Sequence, residues 1–343
     1  MMTDDNTFRT IQSERAMSLL FRALKGEALS PKALAVEYST STRTISRDID
    51  NLRAYMSDHP ELFGRSELVY SGSNHCWSLT MDTLLTNSER LAIAKILIGC
   101  RAFSRDDIAL ILNKLEVSTT SSDKSRLKQL LAKELLSYRE PGSDCASVIS
   151  FLWKLSECIG KHSIISVFYH KQNRIAVDRR LMPVSLMYSD GYFYLIAFIS
   201  NPNFDKDNEF RADGSSRSHS KIPYYFRVDR IIDITVHREV YDPNSLKPFD
   251  DGYVRNRSLM MWSGPLRHIK FEFTGPSVQV ILDKLPTATI VSRDKGRYII
   301  EAEAFGDGIK MFLLSQGAWV KVLEPVELVE EMREEIKKMQ GLY

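Results

Sequence analysis

Two groups of residues in this 343-residue sequence have the types and spacing to bind anions. The first is Ser41, Thr42, Arg43, Thr44, Ser46 and Arg47. Residues on a helix advance by about 100° each, so Ile45, Ile49, Leu52 and Met56 fall within about 60° of one another. Arg43 and Arg47 then lie on the opposite side, with Ser46 beside them. Such a helix packs its apolar stripe inward and presents arginines outward from its first turns, where a recognition helix meets base edges. Arginine can grip guanine with two hydrogen bonds, and serine and threonine can contact bases or phosphates. The bland alternative is a solvated face with Asp48 and Asp50 as local partners. The second group is Tyr169, His170, Arg179, Arg180, Tyr194, Arg227 and Arg230, on segments otherwise filled with Val, Ile, Leu and Phe. A desolvated arginine needs a partner, and acids within those segments are few, chiefly Asp178, Asp229 and Asp233. A surplus of arginine beside tyrosine suits an anionic ligand with flat faces, since arginine forks match phosphate and aromatic rings stack on bases. Outward-facing arginines with tyrosine at a rim are the bland alternative.

Other chemistries find little support. The sequence has no G-x-x-x-x-G-K-[ST] or G-x-G-x-x-G loop, no H-E-x-x-H and no G-x-S-x-G. Seven histidines are scattered, and Asp205, Asp207 and Glu209 cluster in a polar stretch without supporting ligands. We therefore expect no catalytic residue, no metal site and no cofactor. The four cysteines (76, 100, 145 and 158) form no C-x-x-C pair and fit packing thiols in a reducing cytosol. The N-terminus lacks an apolar signal region, and Leu91 to Cys100 is too short to span a bilayer, so a cytoplasmic protein with no membrane partner is expected. The net charge of +2 gives no global basic field, and residues 1–80, with nine Lys/Arg against ten Asp/Glu, are slightly acidic. A single copy of that region should bind DNA weakly, and a dimer on two half-sites would supply the missing phosphate contacts.

The positioning elements follow from periodicity. Helices are expected over residues 8–26, Pro31 to Tyr38 and from about Thr42 to Met56, then a hairpin of Glu67–Tyr70 and Cys76–Leu79. Three helices and a hairpin are the order of a winged helix-turn-helix. Residues 83–137 read as helical with one polar break at Ser118–Ser125, followed by a helix from Ser147 to Gly160. Five strands rich in β-branched and aromatic residues come next: Ile164–His170, Ile175–Tyr188, Tyr192–Ser200, Tyr224–Val228 and Ile231–His237. With no long helix among them they suggest a small barrel, interrupted by a long polar loop, Asn201–Ser220. Tyr241–Pro265 reads as a linker. The last block runs β-α-β-β-α-β, the ferredoxin-like order, and ends in a charged helix, Pro325–Gln340.

Three stretches carry a family resemblance. Ser41-Thr42-Arg43-Thr44-Ile45-Ser46-Arg47-Asp48-Ile49 resembles the recognition helix of DeoR-like winged-helix regulators. Gly191-Tyr192-Phe193-Tyr194-Leu195 resembles the signature of WYL domains, with Phe193 in place of Trp, supported by Arg179-x-Leu181-x-Pro183 and Phe226-Arg227-Val228-Asp229-Arg230-Ile231. Trp319 to Pro325 is similar to the C-terminal extension often attached to WYL domains. The resemblance implies an α+β multidomain chain: a winged helix-turn-helix over 1–82, a helical linker or dimerisation region over 83–160, a Sm-like β-barrel over 161–240 and a ferredoxin-like extension over 265–343. It also implies a homodimeric regulator that binds a double-stranded DNA operator and responds to an anionic effector, a nucleotide or single-stranded nucleic acid. Tyr169, Arg179, Tyr194 and Arg230 are the ligand positions it favours. Where the family often has arginine two residues before Phe226, this chain has Tyr224, leaving fewer phosphate contacts or a substitute in Arg227 or Arg180. The competing expectation is a nucleic-acid-binding accessory module in DNA repair or phage defence.

Overall fold

The structure is a computed structural model that describes residues 3–81, 85–116, 121–144, 147–200, 223–246 and 249–343, with only the backbone element given for 3–11 and 121. The chain divides into two units, Met1–Glu140 and Pro141–Tyr343. The loop Asn201–Ser220, its acids Asp205, Asp207 and Glu209, and Cys145 lie outside the described residues.

The first unit begins with α1 (Thr3–Leu24), α2 (Pro31–Glu37) and α3 (Thr42–Asp58). Ser30 starts α2 by accepting from the Ala33 N–H, and Pro31 costs no hydrogen bond at the first helical position. Ile45, Ile49, Leu52 and Met56 turn inward onto Leu19, Ala23 and Leu34, so the stripe read from spacing is the packed face. A short helix that periodicity did not reveal, α4 (Pro60–Phe63), precedes the hairpin β1 (Ser66–Ser71) and β2 (Cys76–Met81). Three helices follow: α5 (Asn87–Cys100), α6 (Arg105–Leu115) and α7 (Ser121–Leu136). The expectation of one break in 83–137 therefore needs correction. Arg101 adopts a left-handed φ of 51° that ends α5, and Ser104 caps α6. Arg105 then donates to the Leu135 and Tyr138 carbonyls, satisfying acceptors at the end of α7.

The second unit opens with α8 (Val148–Gly160), then β3 (Ser163–His170), β4 (Ala176–Ser189) and β5 (Tyr192–Ile199). After β6 (Tyr224–Arg227), the 3-10 turn Val228–Arg230 leads into β7 (Ile231–Val240). The sheet is antiparallel in the order β6-β5-β4-β3-β7. Its edges, β6 and β7, share no hydrogen-bonded ladder, so the expected barrel is not closed. The sheet must still curl. Four strand spacings would separate flat edges by about 19 Å, whereas the chain from Arg227 to Ile231 can reach at most about 14 Å. Val148, Leu155 and Cys158 of α8 are buried with Ile165, Val167, Leu181 and Leu195, so this helix belongs to the sheet rather than to a linker ending at 160.

The segment Tyr241–Pro265 is also not a linker. It contains a 3-10 turn, Pro243–Ser245, and α9 (Asp251–Arg257). Tyr241, Val254, Leu259 and Met261 are buried: Val254 and Met261 cover Met187 and Ile196 on the outer face of β4 and β5, while Leu259 joins the core of the last block. The last block is β8 (Leu266–Phe273), α10 (Gln279–Lys284), β9 (Thr289–Asp294), β10 (Arg297–Phe305), α11 (Gly308–Ser315), β11 (Val320–Glu324) and α12 (Val326–Gln340). Its strands are ordered β11-β8-β10-β9, all antiparallel, which is the 4-1-3-2 order expected of the ferredoxin-like unit. Among the described residues no helix is long and apolar enough to cross a membrane.

Candidate functional site

On α3, Ser41 takes the N-cap position, accepting from the Thr44 N–H at 3.1 Å, and its hydroxyl lies 2.9 Å from that of Thr44. Two of the six predicted DNA-facing side chains thus also fix the start of the helix. Thr42, Arg43 and Arg47 are exposed; Thr44 and Ser46 are half-buried. The two acids that could have neutralised the arginines are occupied elsewhere. Asp48 is buried and bonds Arg15 at 2.6 Å, and Asp50 lies 3.7 Å from Arg53. Arg43 and Arg47 have no carboxylate partner among the described residues.

The sheet distributes its arginines differently. Arg227 lays both arms of its fork on buried Asp229, at 3.0 and 2.6 Å, and its guanidinium stacks 3.3 Å from the Tyr192 ring centre. Burial works against the Arg227 charge, but the hydrogen bonds and charge of Asp229 more than offset it, so its pKa lies above the ordinary arginine value. Arg180 pairs with Glu239 near the end of β7. His170 Nδ1 lies 3.1 Å from the Asp144 carboxylate, which also accepts from Arg174 at 2.8 Å. Tyr194 lies on the outer face with Met187, Ile196, Val254 and Met261, and burial raises its pKa.

Tyr169 and Arg179 come together on the inner face. Arg179 sits opposite Val167 on β3, and Tyr169 opposite Val177 on β4. Both line a cavity of about 680 Å³, within the usual range for small-ligand sites. Tyr224, Phe226, Val177 and Ile199 give it apolar and aromatic walls, with Tyr225, Met261 and Ser263 to one side and Lys171, Gln172 and Asn173 at the turn after β3. Tyr169 meets Phe226 edge to face at 5.4 Å. Burial raises the pKa of the Tyr169 hydroxyl, outweighing the opposing influence of the nearby Arg230 and Arg227. The charged lining residues among those described are Lys171 and Arg179, both cationic. Tyr224, the departure from the family pattern, thus contributes an aromatic wall. Arg180 and Arg227, the two possible substitutes, are committed to Glu239 and Asp229. Sequence reasoning missed Lys171, Tyr224 and Phe226 as lining residues, although the alternation Tyr224-x-Phe226 on one strand face could have signalled two of them. Among the described residues, no cluster of three or more His, Cys, Asp or Glu side chains could hold a metal ion.

Residues 150–236 match the WYL domain, and residues 265–340 match the WCX domain. The chain carries a WYL domain followed by a WCX domain. No curated protein matches the sequence. Among solved structures the chain is similar to proteasome accessory factor B/C (PafBC) of Arthrobacter aurescens, at 14% identity and a TM-score of 0.30, over 97% of this chain and 48% of that one. The chain therefore spans about half the length of that protein. It is also similar to a CRISPR Cas-related protein, at 16% identity and a TM-score of 0.37, over 76% of this chain and 74% of that one.

Proposed function

We propose that the protein is a sequence-specific DNA-binding transcription regulator, with α3 as the recognition helix of a winged helix-turn-helix and the β3–β7 cavity as the site of an anionic effector. One observation carries the DNA-binding reading: Arg43 and Arg47 project from the first turns of α3 while the neighbouring acids are tied to Arg15 and Arg53. The slightly acidic first 80 residues call for two copies on an inverted repeat. A helix as apolar around its circumference as α5, where Ile96 is 68% exposed, supports self-association. The cavity's tyrosines and two cations suit a nucleotide or a single-stranded nucleic acid, held without chemical conversion.

Footprinting of the purified protein on its own promoter region tests the reading. Protection of two similar half-sites, by a species of twice the monomer mass in light scattering, is the expected outcome. Binding of single strands with no protected duplex would instead favour an accessory role in DNA repair or phage defence.

A further inference from the structure

The connection from the WYL sheet to the WCX sheet contains a turn that its residues disfavour. The Leu259 carbonyl accepts from the Trp262 N–H at 3.2 Å, enclosing Met260 and Met261 with φ of 52° and 53°. Positive φ at both central positions is the pattern of a type I′ turn, which selects Asn and Gly because a Cβ is crowded there. Two consecutive methionines hold that conformation only where the surroundings impose it.

The surroundings grip the turn from both sides. Toward the WYL sheet, Met261 is buried against Met187, Ile196 and Val254, and with Ser263 it forms part of the cavity wall. The Ser258 hydroxyl lies 3.2 Å from that of Tyr225, another wall residue. Toward the WCX sheet, two glycines let the backbone close in. A Cβ on Gly306, itself at φ +63°, would lie 2.7 Å from the Ser263 carbonyl oxygen. One on Gly308 would lie 2.2 Å from the Leu259 oxygen that accepts the turn's own hydrogen bond. The Gly306 N–H donates to the Pro265 carbonyl at 3.0 Å.

We propose that this Met260–Met261 turn is a strap that couples the cavity to the WCX domain. A ligand pressing on Met261 and Ser263 displaces the strap, and the displacement reaches the end of β10 and the start of α11 through Gly306 and Gly308. The proposal rests on reading the cavity as a ligand site and adds the route by which occupancy leaves it. The second state of the strap is one in which the methionines return to negative φ, relieving the crowding at their Cβ atoms. A ligand selects between the two by its differential affinity.

Two glycine variants in the full-length chain separate the strap from plain backbone strain. Gly306→Ala and Gly317→Ala both place a Cβ at positive φ, +63° and +59°, but only the first meets the strap, since nothing lies within 4 Å of a Cβ at Gly317. Without any ligand, amide exchange in Ser258–Gly264 and in the cavity strand Tyr224–Arg227 should be at least tenfold faster in Gly306→Ala than in Gly317→Ala. A fluorescent single-stranded dT hexanucleotide should bind Gly306→Ala at least fivefold more weakly than Gly317→Ala. Equal exchange in the two variants overturns the strap. Failure of the hexanucleotide to bind wild type counts against the effector class alone, because the exchange comparison still decides the strap. If Gly306→Ala does not fold, Met261→Leu, which keeps the volume, should speed Gly306 amide exchange at least threefold, and unchanged exchange there also overturns the proposal.

Discussion

Arginines in two regions of this chain look alike in sequence and end in opposite states. On α3, Arg43 and Arg47 stand exposed beside acids that face elsewhere. On the WYL sheet, Arg180 and Arg227 each end on a carboxylate. The difference arises from where the acids point. Asp48 adjoins Arg47 in sequence but sits about 100° around the helix, which turns it into the core and onto Arg15. Asp229 is two residues from Arg227, and the 3-10 turn folds it back under the guanidinium. An arginine's availability is therefore decided by the backbone geometry of its neighbours more than by the count of acids nearby.

The contrast can be broken by substitution, and the largest effects should fall on the paired side. Asp229→Asn strands the Arg227 fork in a half-buried site and should lower unfolding free energy by about 3–5 kcal/mol, measured by urea titration. Asp48→Asn should cost about 3 kcal/mol by the same measurement, because Arg15 and Asp48 are both largely desolvated. Replacing Arg43 or Arg47 with Ala should shift unfolding by no more than about 0.5 kcal/mol while weakening operator binding by about 1–3 kcal/mol each. Operator affinity unchanged in both variants would remove α3 from the interface. Within the sheet, Arg179→Ala should abolish the effector response of an operator reporter and leave effector-free DNA binding intact. The smallest effect belongs to Arg180→Ala, whose exposed pair with Glu239 should contribute about 0–1 kcal/mol.

Local signals reached far into the fold. The stripe Ile45, Ile49, Leu52 and Met56 specified which side of α3 is buried, because helical geometry alone determines it. The five strands and the β-α-β-β-α-β block were legible for the same reason, and the latter fixed its own strand order. Features that depend on partners distant in sequence were not legible. Asp144 and Glu239, which pair with His170 and Arg180, lie outside the segments where acids were sought. The connector was read as a linker because its apolar residues, Val254, Leu259 and Met261, cover two different surfaces and so follow no single period. Its tight turn carries neither Gly nor Asn, so turn chemistry gave no warning. The cavity combined two predicted residues, Tyr169 and Arg179, with walls from β6 and the connector that only the curled sheet brings near.

The pairing of Ala197 with Tyr224 across β5 and β6 has a consequence for how the chain can vary in length. The register of that hairpin is set by the ladder that joins Tyr194–Ala197 to Tyr224–Arg227. Closing a longer connection adds only about 0.6 kcal/mol for each doubling of its length. Deleting a single residue within β6, by contrast, would carry Tyr224 and Phe226 to the other face of the sheet and strip two aromatic walls from the cavity.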